Sequence, residues 1–244
     1  MKQRNFLATV MVAAGMSLCL YSCNGSGEED KTAEVKPDST TAKTAEAPVV
    51  AKPNNFTVIK HKVANYAKWF PAYTAGDSAR LANGLNSYII GRGIDGDSNT
   101  VLVAMRMTDV DKARAMAASP GLKARMQQGG VVGMPVINFV EGVWSDTSTN
   151  SSTVRLIITH KVKDWDAWKK EFDSHKQTRM DAGLTDRVVG HEFGDNHTVT
   201  IAFAVTDMAK AKAFMASKDL KDKMAAAGVE GPPTMLFYNV VKRY

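Results

Sequence analysis

The chain has 244 residues, 44% of them hydrophobic and 23% charged, with two cysteines and a formal charge of +6. That length suits one or two domains with ordinary cores, and so few cysteines exclude a disulfide-built scaffold. Residues 56–244 carry 25 Lys and Arg against 19 Asp and Glu, scattered along amphipathic segments rather than gathered in a stripe, which argues against nucleic acid as a partner.

Lys2 and Arg4 precede an apolar run from Phe6 to Leu20, the length of a secretory core and short of a membrane span. Leu20-Tyr21-Ser22-Cys23 resembles a bacterial lipobox, in which cleavage precedes a cysteine that is then lipidated; Tyr21 is bulkier than usual two positions before the cysteine. The resemblance implies a signal peptide over residues 1–22 and lipidation at Cys23. The lipid bilayer is then a partner, and the location is the cell envelope, as an outer-membrane lipoprotein facing the periplasm or the surface. After that cut no other cysteine remains, so the folded part has no disulfide. Residues 23–55 are rich in Thr, Ala, Glu, Lys and Pro. They bury too little to offset their ordering entropy and read as a disordered tether. Within it, Glu28-Glu29-Asp30 resembles a surface-export signal of envelope lipoproteins, or is simply a charged stretch of linker.

From Phe56 onward one unit occurs twice. His61-Lys62-Val63 returns as His160-Lys161-Val162, Trp69 as Trp168, Arg80 as Arg179, and Gly84-Leu85 as Gly183-Leu184. After a one-residue deletion Thr108-Asp109 returns as Thr206-Asp207 and Gly130-Val131 as Gly228-Val229. The reading is a first unit over 56–144, a Ser/Thr-rich linker over 145–153 and a second unit over 154–244.

Each unit begins with an alternating strand, Thr57–Val63 or Arg155–Val162. One helix follows, with N-caps at Asn65 and Asp164 and C′ glycines at Gly84 and Gly183. Tyr66, Trp69, Tyr73 and Leu81 share one face of it; Trp165, Trp168, Phe172 and Met180 do so in the second unit. A strand through Ile89-Ile90 or Val188-Val189 meets a turn at Asp95-Gly96 or Gly194-Asp195-Asn196, and the next strand runs over Thr100–Met107 or Thr198–Val205. Thr108-Asp109 and Thr206-Asp207 open an alanine-rich helix that breaks and restarts at Ser119-Pro120 and at Ser217, ending at Gly130 and Gly228. The last strand is expected to start near Pro135 and Pro233, since proline is tolerated at a strand's first residue.

The order βαββαβ is ferredoxin-like, with helices on one face of a four-stranded sheet. The bare faces need burial, and the neighbouring unit is the nearest cover. With its "HKV-DW-AW" start and "LK-KM-AAGV-GPP" end, the run from His160 to Tyr238 resembles the dimeric α/β-barrel superfamily. That group includes antibiotic-biosynthesis-type monooxygenases and haem-degrading relatives. The resemblance implies an α+β fold of two tandem units packed sheet to sheet as an intramolecular pseudo-dimer. In the haem-degrading members a polar residue at the first-strand histidine position lines a pocket between sheet and helices.

His160 shares a strand face with Leu156, Ile158 and Val162, and His61 with Ile59 and Val63. Taking that apolar side as the one under the helices puts a titratable ring beside the core of each unit. The alternative is a core histidine satisfied by a backbone carbonyl. His175 and Arg179 extend the stripe of Trp168 and Phe172, so that His160, His175 and Arg179 are expected to converge under one sheet. Such a group suits an anionic or carbonyl-bearing molecule. The alternative for Arg179 is service to the last helical carbonyls near Gly183. The first unit keeps Arg80 but has Gly76 in place of His175, so its pocket is expected to be less polar. His191 and His197 flank a hairpin, and no histidine pair has zinc spacing. No phosphate loop or nucleophile elbow is present. No catalytic residue or cofactor is assigned by these residues.

Three functions remain open: a lipid-anchored binder of a small, partly apolar molecule, a cofactor-independent monooxygenase-like or haem-degrading enzyme, and a non-catalytic interaction module. A cavity of roughly 300 Å³ or more facing His160, His175 and Arg179 favours the first two, and a filled core the third.

Overall fold

The computed structural model describes residues 54–94, 96–146, 148 and 151–244. The expected signal peptide, Cys23 and nearly all of the tether lie outside these residues, as does Asp95 of the expected turn. The first unit comprises β1 (Phe56–Val63), α1 (Tyr66–Ala75), α2 (Asp77–Ala82), β2 (Leu85–Gly93), β3 (Thr100–Met107), α3 (Val110–Ala118), α4 (Pro120–Gln128) and β4 (Val131–Ser145). The second comprises β5 (Val154–Val162), α5 (Trp165–Ser174), α6 (Lys176–Asp181), β6 (Leu184–Glu192), β7 (Asp195–Val205), α7 (Met208–Ala216), α8 (Lys218–Ala226) and β8 (Val229–Arg243).

The strands close into one antiparallel barrel in the order β1-β3-β2-β8-β5-β7-β6-β4. The units therefore share more than facing surfaces. Their edge strands bond across the seams, β2 to β8 and β4 to β6, which leaves no sheet edge open. Two glycines let the seams close. A Cβ on Gly91 would lie 2.1 Å from the Tyr238 ring, and one on Gly190 would lie 2.3 Å from the Glu141 carbonyl.

Strand alternation divides the burial between two sides. Phe56, Val58, Leu102, Val140, Ile157 and Tyr238 belong to a core inside the barrel. Ile59 and Val63 pack outward with Trp69 under the first helices, and Leu156, Ile158 and Val162 with Trp168 under the second. The expected strand faces are the observed ones.

The helix expected to run unbroken from Asn65 to Gly84 is instead two, parted at Gly76, and its counterpart is parted at His175. At the break Gly76 N–H turns back to the Tyr73 carbonyl at 3.1 Å, and Arg80 Nη1 donates to the same oxygen at 2.7 Å. A side chain inserted into the helical ladder in this way redirects the chain. Leu81 and Met180 are consequently not on the buried stripe; they are 52% and 49% exposed, and their neighbours Arg80 and Arg179 are buried instead. The serine breaks stand as expected: Ser119 and Ser217 accept the N–H groups of Leu122 and Leu220. Pro135 and Pro233 do not start the last strands, which begin at Val131 and Val229. Both fall where the pairing with β1 or β5 slips, a bulge that needs no N–H from proline.

Candidate functional site

Between each half of the barrel and its helices lies a cleft. In the second unit His160, Trp168, Phe172, His175 and Arg179 all line it, so the residues singled out from the sequence do come together. Met215 and Met224, which read as packing material, line it too. Its volume is about 90 Å³, well under the expected threshold and enough only for a small molecule or one end of a larger one. His61 and Arg80 line the equivalent cleft of the first unit, about 70 Å³. Gly76 does not leave that cleft apolar, because the Arg125 side chain packs over it and joins the lining.

The same column of side chains stands in both clefts. In the second, the His160 ring is 5.6 Å from Trp168, Trp168 stacks on Phe172 at 5.1 Å, and the Arg179 guanidinium lies 3.6 Å over the Phe172 ring. In the first the sequence is His61, Trp69, Tyr73 and Arg80, at 5.5, 5.0 and 3.8 Å. Strand β5 fixes one end of the column, and α5 supplies its middle at helical spacing. The turn into α6 brings the arginine back over the ring.

The two ends of the column differ in chemistry. Each nitrogen of the Arg179 guanidinium has a partner: Nε and Nη2 donate to the two carboxylate oxygens of Asp186 at 2.9 and 2.7 Å, and Nη1 donates to the Phe172 carbonyl. Arg179 therefore braces α5 and α6 against β6 and is not free to hold an anionic ligand, contrary to the role expected from the sequence. Nor does it serve the carbonyls near Gly183. Arg80 is held through Nη1 by the Tyr73 carbonyl and through Nη2 by Asp77 at 3.0 Å, while its buried Nε has no partner among the described residues. The missed partner is visible in the repeat register. Ser87 aligns with Asp186 and Asp77 with Lys176, so the carboxylate has moved from helix to strand while the arginine stayed.

His160 and His61 are the reverse case. They are 7% and 6% exposed, and neither nitrogen of either ring has a hydrogen-bond partner among the described residues. The backbone-satisfied core histidine is thereby ruled out as a description. Burial pushes both imidazoles down to about 4, so each is neutral near pH 7, with one N–H donor and one acceptor lone pair. His175 is half-exposed at the helix break, its Nδ1–H donating to the Glu171 carbonyl at 2.7 Å. Among the described residues no group of three or more His, Cys, Asp or Glu side chains is placed to hold a metal ion. What each cleft offers is one neutral imidazole at the end of an aromatic and methionine-lined wall.

No protein-family model matches the sequence, and no curated protein does. Solved structures do match in shape. A candidate monooxygenase from Fusobacterium nucleatum is 12% identical, with a TM-score of 0.52 over 78% of this chain and 93% of that one. An anthrone oxidase-like protein is 11% identical, with a TM-score of 0.54 over 79% and 93%. A candidate chlorite dismutase is 15% identical, with a TM-score of 0.52 over 78% and 96%. Likeness at such identity concerns architecture, and the architecture is definite: this chain folds as a dimeric α/β barrel, with both ferredoxin-like halves supplied by a single polypeptide.

Proposed function

We propose that this protein is a lipid-anchored envelope protein that binds a small, neutral, partly apolar molecule in the clefts between barrel and helices. One observation carries the reading: a buried imidazole with two unpartnered nitrogens lines the cleft in each unit. Leaving such a group unsatisfied costs about 1–3 kcal/mol. A ligand hydroxyl or carbonyl placed against the ring recovers that cost. Phe172 and Trp168 offer a flat apolar wall, and Met215 and Met224 adapt to shape. The match is a phenolic or carbonyl-bearing ring rather than an anion, because the nearby guanidinium is already neutralised by Asp186. The lipid anchor rests on the order of charge, apolar run and Cys23 in the leader.

The barrel's occurrence in monooxygenase-type structures favours a second reading, an enzyme acting on the same bound ring; that step is analogy of fold. An imidazole pushed down to about 4 is a weak general base at neutral pH. Its part in any reaction is to orient the substrate by hydrogen bonding. The narrowness of the clefts instead favours the interaction-module reading.

Native mass spectrometry of the purified protein, beside a His61→Leu/His160→Leu variant, separates binding from no binding. The expected result is a co-purifying small molecule, or uptake of added phenol, that the double variant loses. Retention of the same mass by the double variant, or no uptake by either protein, overturns the proposal in favour of a filled interaction module.

A further inference from the structure

We infer that the barrel interior holds a second, separate site, for a small oxyanion such as a carboxylate or phosphate, built around Arg155. The site is on the opposite face of the sheet from the histidine clefts and does not depend on them. Arg155 lies on the inward-facing side of β5 and is only 5% exposed. Its Nη1 donates to the carbonyls of Ser152 and Val154 at 2.6 and 2.9 Å. No carboxylate among the described residues pairs with it.

A guanidinium cannot shed its proton to escape burial, so a buried one is normally matched by an anion. Here the surroundings add further positive charge. Arg155 lines a cavity of about 70 Å³ at one end of the barrel together with Arg187 and Arg243. Arg106 stands nearby on β3, its guanidinium 4.9 Å over the ring of Tyr88, which also lines the cavity. Asp146 is the one acidic residue in the lining, and it is taken by Arg187 at 2.7 Å. Burial, with Arg243 and Arg187 adding to it, holds the Arg155 guanidinium below its ordinary pKa. An anion would relieve that penalty. Tyr238 is fully buried on the same wall, and burial raises its phenol, so it stays a neutral O–H donor. The volume admits one carboxylate or phosphate group and excludes anything much larger.

The pseudo-symmetry shows that the barrel does not need these charges in order to close. Position 155 corresponds to Phe56, 187 to Tyr88 and 243 to Ser145. At each place the first unit fills the same shell with an uncharged side chain. Arg155, Arg187 and Arg243 are thus an addition by the second unit, while Arg106 is the first unit's own. With Nη1 held by the two carbonyls, the Nε and Nη2 edge of Arg155 is the side suited to bidentate recognition, with Arg243 in the same lining.

The test is calorimetric titration of the full chain, in detergent, with inorganic phosphate and separately with acetate, at constant ionic strength. Saturable binding of one anion per chain is expected. Arg155→Phe, which borrows the first unit's side chain, should weaken it about tenfold or more, the loss of a charge-assisted hydrogen bond. Arg243→Ser, at the exposed strand end, should weaken it less and leaves the core intact if the Arg155 variant fails to fold. No saturable binding overturns the site, and so does undiminished affinity in Arg243→Ser and in every folded Arg155 variant. Because the histidine clefts are untouched by these changes, uptake of phenol should persist, which separates this site from the other.

Discussion

Arg179 and Asp186 form a two-pronged ion pair, 2.9 and 2.7 Å, with both side chains at most one-tenth exposed. The first unit reaches the same end with Asp77 below Arg80 and Ser87 on the strand. Removing one member of a buried pair strands the other, at a cost of about 3–5 kcal/mol. Asp186→Asn is therefore expected to destabilise the protein by about that amount in urea unfolding. Adding Lys176→Asp and converting position 186 to Ser, as in the first unit, should restore most of it. A triad that can be broken without loss would show the arginine to be incidental.

Duplication, strand faces and serine breaks were legible because each rests on a repeating pattern, whereas the expected sheet-to-sheet packing did not include the β2–β8 and β4–β6 bonds that close the barrel. His61 and His160 could be placed under the helices from alternation alone. What escaped was the break at Gly76 and His175. Neither residue forbids a helix, and the break depends on a side chain, Arg80 or Arg179, reaching back to a carbonyl seven residues earlier. Once the break is missed, Leu81 and Met180 take the buried positions that belong to the arginines. The partnership with Asp186 was hidden for a related reason. It joins a helix to a strand, and only comparing the two units position by position shows the exchanged carboxylate. The bulges at Pro135 and Pro233 likewise depend on strand pairing and leave no local mark beyond the proline itself.

On the proposed reading an unpartnered buried imidazole trades stability for binding, and that trade can be measured. His160→Leu is expected to raise stability by about 1–3 kcal/mol in ligand-free protein, since an apolar side chain leaves no orphan nitrogen. The same change should abolish uptake in the second cleft. His61→Leu should do the corresponding thing in the first. A drop in stability on either substitution would show that the ring has a partner it would lose, and the binding role would fall with it.

The proposed envelope location rests on Cys23. Cys23→Ser should leave the protein in the soluble fraction after cell disruption, and metabolic labelling with a fatty-acid analogue should be lost with it. One acyl group alone would hold only marginally, so labelling is the sharper readout. Membrane association and labelling that survive the substitution would refute lipidation there.

The buried histidines also fix a direction for the pH dependence of folding. In the folded protein burial holds both rings at about 4, while in the unfolded chain they titrate near 6.5. Above pH 6.5 both states carry neutral rings and nothing changes. As pH falls below 6.5 the unfolded chain takes up protons that the folded one refuses, so stability is lost, and the loss levels off only below pH 4. The expected loss is about 3 kcal/mol per ring by pH 4. Carboxylates also titrate at the lower end of this window, so the comparison must be with His61→Leu/His160→Leu. Urea unfolding at pH 7 and pH 4.5 should show a fall that is much shallower in the double variant. Parallel falls in the two proteins would mean that the rings are solvated, and the orphaned imidazoles would no longer point to a ligand.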